Sequence, residues 1–379
     1  MYKSFRYRIY PNKSQKETIR KNFDSFRFTY NFYLGSKESV YSSNLKRNKD
    51  FNLIKPSELK ELLPWLKEID STVIQSALEL LKQDYSLYYR GLIKKLKFKK
   101  KKDKKQSYCC KNIIQTIEYQ GKYIKLPKLG KVKTKNKLVP CGKILKAIVT
   151  EENNKYYVSL QCELNLEQEK YLEARFDNTN KKIGIDLGIK DFLVTNLGEK
   201  IENPKFYRNQ IEYLYKQKKL LYRKTKYSKN YNRQKDKIYK IIIHTKNQRR
   251  DFLQKLSTEL IRKYDVICVE DLSIKSMQSN NSYLSGLIKD CGWNIFVRML
   301  EYKSIWYGKK LIKVGKFFPS SQKCHVCGYK NVRVKNLSIR EWKCPQCNTY
   351  HDRDINAAIN ILNEGLRILN QNVVEVPTY

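Results

Sequence analysis

Apolar and polar positions alternate strictly at the start of the chain, with Phe5, Tyr7 and Ile9 facing one way and Arg6 and Arg8 the other. That period of two predicts a half-buried strand. Pro11-Asn12 turns the chain, and Ser14 is placed to cap a helix running toward Asn31. A second helix is expected after Ser71, where Ile74, Ala77, Leu78, Leu81, Tyr85 and Tyr88 recur at helical spacing. At Lys94 this pattern gives way to a run of lysines that ends at Lys105. From Tyr108 to Leu164 the pattern is strand-like again, in short pieces such as Ile144 to Thr150 and Tyr156 to Cys162. Residues 165–180 are polar and charged, and read as a linker. No internal repeat is visible.

From Lys182 onward the order becomes strand, long helix, strand. Ile183 to Asp186 and Asp191 to Asn196 are expected to pair as a hairpin. Residues 206–263 are helical and very basic, with a break near Ser228-Lys229-Asn230. Val266 to Glu270 reads as a short buried strand, 293–307 as an amphipathic helix and 311–317 as another strand. Such an order suits an α/β sheet covered by helices, so the fold class is α/β and multidomain.

Charge changes the picture from fold to partner. Lys and Arg total 78 against 37 Asp and Glu, a formal net charge of +41. A compact chain so charged repels itself unless a polyanion neutralises it, and phosphates contacted by Lys or Arg release condensed counterions. Nucleic acid is therefore the expected partner, ahead of a packaging role or a membrane surface. The 29 tyrosines, interleaved with cations between Tyr213 and Tyr239, suit base stacking, although many tyrosines in any chain simply fill a core. No secretory signal opens the chain, and no apolar run reaches the ~18 residues that span a bilayer. A cytoplasmic protein with reduced cysteines is expected.

Three carboxylates then stand out. Asp186 lies in the apolar strand Ile183-Gly184-Ile185-Asp186, Glu270 ends Val266-Ile267-Cys268-Val269, and Asp354 opens Asp354-Ile355-Asn356-Ala357-Ala358. Singly each has a bland explanation: a turn at Asp186, a solvated strand end at Glu270 with Asp271 as competitor, a helix cap at Asp354. Together, in this order, they fit a ribonuclease-H-like phosphodiesterase, whose two metals sit about 3.5–4 Å apart among converging carboxylates. Mg²⁺ suits such oxygen donors. An actin-like ATPase also opens on an Asp-bearing hairpin but needs glycine-rich phosphate loops, which are not found here.

The cysteines are more specific. Cys324-His325-Val326-Cys327 and Cys344-Pro345-Gln346-Cys347 enclose 16 residues, the spacing of a four-thiolate zinc site. Four ligands leave no open position, so the zinc would be structural. His325 and His351 are near but not needed as ligands, and the other six cysteines lack paired spacing.

In this order, Asp186, Glu270, the four cysteines and Asp354 resemble the TnpB family, nucleases of bacterial insertion sequences related to type V CRISPR effectors. Softer matches cover most of the rest. Phe5-Arg6-Tyr7-Arg8-Ile9-Tyr10-Pro11 resembles the family's opening strand and Tyr30-Asn31 its first helix. Gln75-Ser76-Ala77-Leu78, Gly91 and Lys97-Phe98-Lys99 resemble its recognition region, and Pro319-Ser320-Ser321-Gln322-Lys323-Cys324 its approach to a zinc ribbon. Asp352-Arg353-Asp354-Ile355-Asn356-Ala357-Ala358 resembles its last catalytic motif.

The resemblance implies a wedge β-barrel (1–11 and 106–175) with an inserted helical recognition domain (12–105). A RuvC nuclease domain (181–320 and 351–369), a zinc ribbon (321–350) and a tail (370–379) would follow. It implies an RNA-guided DNA endonuclease that cuts beside a short motif, acting as a monomer in its RNA complex. Guide RNA from its own element and target double-stranded DNA would be its partners. Asp186, Glu270 and Asp354 would hold two Mg²⁺, and Cys324, Cys327, Cys344 and Cys347 one Zn²⁺. Gln75, Lys97, Lys99 and Arg353 are the implied nucleic-acid contacts. The bacterial cytoplasm is the implied location, at the nucleoid when DNA is bound. Two rivals stay open: a transposase acting on element ends, and a nuclease-inactive RNA-guided repressor.

Overall fold

The structure, a computed structural model, describes residues 1–42, 54–103, 105–135, 138–272, 282–336 and 338–374. Its chain divides into two compact units, Met1–Glu169 and Lys170–Tyr379.

The first unit is built on a seven-stranded sheet. Its strands are β1 (Tyr2–Tyr10), β2 (Lys105–Lys111), β3 (Glu118–Gln120), β4 (Tyr123–Leu126), β5 (Gly130–Thr134), β6 (Lys143–Glu152) and β7 (Lys155–Glu163), in the order β2-β6-β7-β1-β5-β4-β3. The alternation of β1 does what its period requires. Phe5, Tyr7 and Ile9 are buried while Arg6 and Arg8 are exposed, each buried side chain stabilising the unit by ~1.5–3 kcal/mol. Between β1 and β2 run α1 (Lys13–Ser42), α2 (Pro56–Leu62) and α3 (Ser71–Tyr89). Helix α1 continues past the Asn31 at which the sequence pattern stops. The Asp70 side chain caps α3 by accepting from the Thr72 amide, and Val73, Ile74, Ala77 and Leu81 face the core. Tyr88, expected on that face, is 42% exposed, because the stripe drifts outward over the last turn.

In the stretch that reads as a linker, Leu166–Glu173 form a helix, α4, that buries only Leu172. One apolar contact in eight residues is too weak a periodic signal to read.

The second unit holds a five-stranded sheet, β10-β9-β8-β11-β12, made of β8 (Lys182–Leu187), β9 (Asp191–Thr195), β10 (Lys200–Glu202), β11 (Val266–Glu270) and β12 (Lys310–Val314). The expected hairpin is the antiparallel β8–β9 pair, whereas β8, β11 and β12 run parallel. Val266, Ile267, Cys268 and Val269 are all buried, as a strand covered on both faces requires. The basic stretch splits into α5 (Ile211–Tyr222) and α6 (Lys229–Lys263), with Ser228 capping α6 by accepting from the Tyr231 amide. Helices α7 (Ser282–Cys291) and α8 (Trp293–Trp306) follow. Between them Gly292 takes φ +74°, a left-handed conformation that glycine adopts without penalty.

A two-stranded sheet of β13 (Glu341–Lys343) and β14 (Tyr350–Asp352) precedes α9 (Arg353–Val374). This last helix is longer than the motif at its start suggests and runs past Leu369, into what reads as tail. Its inner face includes Ala357, Ala358 and Ile361, all buried. Beneath it Gly184 leaves no room: a methyl there would lie 2.2 Å from the Ala358 carbonyl oxygen. Gly365 does the same from the helix side, where a methyl would meet Cys268 Sγ at 2.3 Å. Paired glycine and alanine positions thus let α9 lie directly on the backbone of β8 and β11.

Candidate active site and metal centre

Parallel pairing sets the first two carboxylates side by side. Val269 stands opposite Ile185 in the β8–β11 ladder, so Glu270 and Asp186 follow at the same edge. Ligand sites in parallel sheets open beyond the carboxyl ends of their strands. Asp354 arrives on the first turn of α9, held close by the glycine-lined contact. All three line one cavity of about 680 Å³, with Arg353 and Arg340.

The helix-cap alternative for Asp354 is resolved by its neighbour. Asp352 Oδ1 accepts from the amides of Asp354 and Ile355 at 3.0 and 3.1 Å, and the same carboxylate is paired with Lys200 Nζ at 2.6 Å. With capping done by Asp352, the Asp354 carboxylate is left for the cavity, where Arg340 Nη1 approaches its Oδ2 at 3.3 Å. Asp271, the competitor of Glu270, is 44% exposed and 3.7 Å from Lys316. Glu270 is the one that lines the cavity with Asp186.

Crowding shows in the titration of these groups. Burial, reinforced by the charges of Asp354 and Glu270 and opposed by Arg353, pushes Asp186 up to about 7. Burial, then the neighbouring Asp271, pushes Glu270 up to about 7. Like charges gathered at a poorly solvated edge disfavour ionisation, and shifts of this size cluster where carboxylates serve chemistry, which makes the cleft a candidate site.

Arg353 is 8% exposed. Its guanidinium donates to the carbonyls of Asn336 and Ile339 at 3.3 and 3.5 Å, so it ties the cysteine-bearing segment to the start of α9. Arg340, which no sequence motif singles out, is the more exposed cation at this wall. Its ion pair with Asp354 joins positions 14 apart, and no local pattern signals it.

The four cysteines converge. Their sulfurs all lie within 4.8 Å of one another, with Cys324–Cys347 at 3.6 Å and Cys327–Cys344 at 3.5 Å. Tetrahedral zinc with ~2.3 Å bonds spaces its sulfurs at about 3.8 Å, so the cluster is compatible with structural zinc. Around it Val334 and Trp342 form a small core of their own. His351, 2% exposed, places Nε2 3.1 Å from Cys324 Sγ, a hydrogen bond of the kind that orients metal ligands. From α9, Asn356 accepts from the His325 amide at 3.1 Å and donates to the Lys323 carbonyl at 2.8 Å. Asn360 donates to Ser320 and Lys323 carbonyls. One helix therefore holds both Asp354 and the entry to the cysteine cluster.

The remaining sequence candidates lie in the first unit. Gln75 is exposed on α3 and Lys97 is exposed beyond it. Lys99 is partly buried, its Nζ 4.3 Å from the centre of the Tyr30 ring, and Asn31 pins its backbone by two hydrogen bonds of 2.8 and 2.9 Å. Burial lowers its pKa.

Comparison with known proteins follows the same path. The family model described as "Probable transposase" of the IS605 OrfB type matches residues 159–281. A helix-turn-helix model of that type matches 1–46, and a Cas12f1-like TNB domain matches 293–361. A Streptomyces pristinaespiralis protein named as an RNA-guided DNA endonuclease is 31% identical, over 96% of this chain and 89% of its own. An Escherichia coli K12 relative named in the same way is 25% identical over 97% and 93%. A TnpB-like protein of Acanthamoeba polyphaga mimivirus is 25% identical over 95% and 72%. The chain belongs to the TnpB family of IS605-type elements, which is related to the type V effectors.

Proposed function

We propose that this chain is a transposon-encoded RNA-guided DNA endonuclease that hydrolyses phosphodiesters at the Asp186, Glu270 and Asp354 cavity. The observation that carries the reading is the meeting of three carboxylates in one cleft of a chain whose net charge is +41. Family membership supports it, as do relatives named for that activity.

The donor set is all carboxylate oxygen, which suits a hard divalent cation. Burial, then neighbouring like charge, lifts Asp186 and Glu270 to about 7, and a bound cation would offset both effects. Asp186, Glu270 and Asp354 would hold Mg²⁺, two ions in our reading. When bound, Mg²⁺ supplies the Lewis acidity and positive charge that phosphodiester hydrolysis requires. Arg340 is placed to draw a phosphate toward Asp354, and Arg353 to keep α9 and the cysteine-bearing segment in register. The sheet edge and α9 fix the three carboxylates before substrate arrives, so little reorganisation is left for the reaction.

We further read β1 and β2–β7 as the wedge, with α1–α3 and the lysine run inserted as recognition segment. Sheet two with its helices is read as the RuvC domain, and the cysteine cluster as its zinc ribbon. Guide RNA and double-stranded target DNA are the partners of this reading, with one protein copy per complex. Gln75, Lys97 and the exposed face of α6 would contribute phosphate and shape contacts.

Asp186→Ala, Glu270→Gln and Asp354→Asn test the assignment. Each is expected to abolish cleavage while leaving RNA binding within about twofold of wild type. Loss of RNA binding in all three, or cleavage retained in any, contradicts it. The family model described as a transposase favours one second reading, strand transfer at element ends. Joined products from a donor end would reveal it.

A further inference from the structure

Phe317 is 97% exposed, yet it lines the same cavity as the three carboxylates. A lone apolar side chain in water is ordinary on a protein surface; its place at the mouth of a reaction cleft is not. The loop that carries it is anchored on both sides. The Phe318 amide donates to the Gly315 carbonyl at 3.0 Å, closing a tight turn that presents the intervening side chains outward. Phe318 is partly buried against the small core formed by Val266, Cys268, Val314 and Ile361. The core beneath the loop is thus filled by Phe318, and the Phe317 ring is held out on a fixed base. Lys316, Lys330, Lys335 and Arg340 line the same cavity.

An aromatic face framed by cations is the arrangement that holds single-stranded nucleic acid. The ring stacks on a base whatever its identity, and the cations follow the phosphates. Bases within a duplex are already stacked on their neighbours and offer no face. We propose that Phe317 is a stacking platform for an unpaired base of the strand being cut, admitting opened strands to the carboxylates ahead of intact duplex. The proposal rests on the nuclease reading above.

The test uses RNA-loaded full-length protein carrying Asp186→Ala, titrated into single-stranded DNA labelled with a fluorescent aminopurine. Stacking quenches the label. Adding Phe317→Ala is expected to remove the quenching and weaken binding ~10-fold, the scale of one base–aromatic stack, while Phe317→Trp keeps both. In the cleavage-competent protein, Phe317→Ala should raise the KM for single-stranded substrate by a similar factor, with Tm unchanged because the ring is exposed. If the wild type cleaves but Phe317→Ala matches it in quenching and KM, the platform is overturned and the nuclease reading stands. If duplex quenches as strongly as single strand, selection for unpaired bases is overturned. A wild type that cleaves nothing takes both with it.

Discussion

Gly184→Ala tests how the third carboxylate reaches its place. The added methyl would lie 2.2 Å from the Ala358 carbonyl oxygen, 2.7 Å from Leu362 Cβ and 2.8 Å from the Leu362 amide nitrogen. Two of these are backbone atoms of α9, which cannot turn aside as a side chain can. Ordinary contact at about 3.5 Å requires the helix to withdraw from β8 by roughly 1 Å. Overpacking of this kind costs ~1–3 kcal/mol, and Tm should fall by roughly 2–4 °C per kcal/mol for a unit of this size. The larger effect is on chemistry. Asp354 sits one helical turn before Ala358, so it moves with the helix while Asp186 stays on the strand. A misplacement of ~1 Å is worth about 100-fold in rate. Plasmid cleavage by the RNA-loaded variant, read beside a thermal melt, should therefore show a loss near two orders of magnitude in a protein still folded at room temperature. Gly286→Ala is the control, since among the described residues nothing outside its own helix backbone lies within 4 Å of a methyl there, and alanine favours its helix by ~1 kcal/mol. A Gly184→Ala protein with wild-type cleavage and Tm would refute the claim that close packing of α9 on β8 builds the site.

Three further outcomes are expected. Lys303 is 4% exposed, and burial lowers its pKa from 10.5 to about 8. Between those values the unfolded chain holds the extra proton, so this lysine makes stability rise with pH from about 8 to 10.5, and its penalty is full below 8. Lys303→Met should remove that rise, on the order of 3 kcal/mol at most, when urea unfolding is compared on the two sides of that window; parallel curves would show that the lysine is not strained. The cysteine cluster should carry one zinc per chain by elemental analysis, and Cys344→Ser should lose it and melt the small core around Trp342. A zinc-free protein with Cys344→Ser harmless would sink that reading. Changing the exposed Arg233, Lys235 and Lys240 of α6 to alanine should lower the slope of log K against log salt for RNA by ~0.7 for each phosphate that is no longer neutralised, and an unchanged slope would remove α6 from the RNA surface.

Much of the candidate site is legible in the order of residues alone. Asp186 and Glu270 end or interrupt apolar runs, and a carboxylate in such a run is conspicuous because burying it unpaired is costly. The cysteine spacing is local and needs no tertiary information. What the sequence hides depends on distant partners. Which of Asp352 and Asp354 caps α9 turns on local geometry that spacing does not resolve, and the Lys200 partner of Asp352 is 152 residues away. Arg340 meets Asp354 only once the cysteine-bearing segment has folded back. Helix α4 is hidden because it buries only Leu172, and the end of α9 because Asn370, Gln371 and Asn372 interrupt its apolar pattern. Lys99 reads as one cation in a run, yet Tyr30 and Asn31 draw it onto α1.

The central claim is that a bound RNA directs cleavage by the carboxylate site. The direct measurement is to purify the protein from cells that also carry its flanking DNA, sequence the RNA that accompanies it, and present a plasmid matching that RNA's variable segment. A single discrete RNA, with cleavage that follows a change in its variable segment and vanishes in Asp186→Ala, is the predicted result. Heterogeneous RNA or none, with cleavage indifferent to sequence, would contradict the account and leave a guide-independent nuclease or transposase.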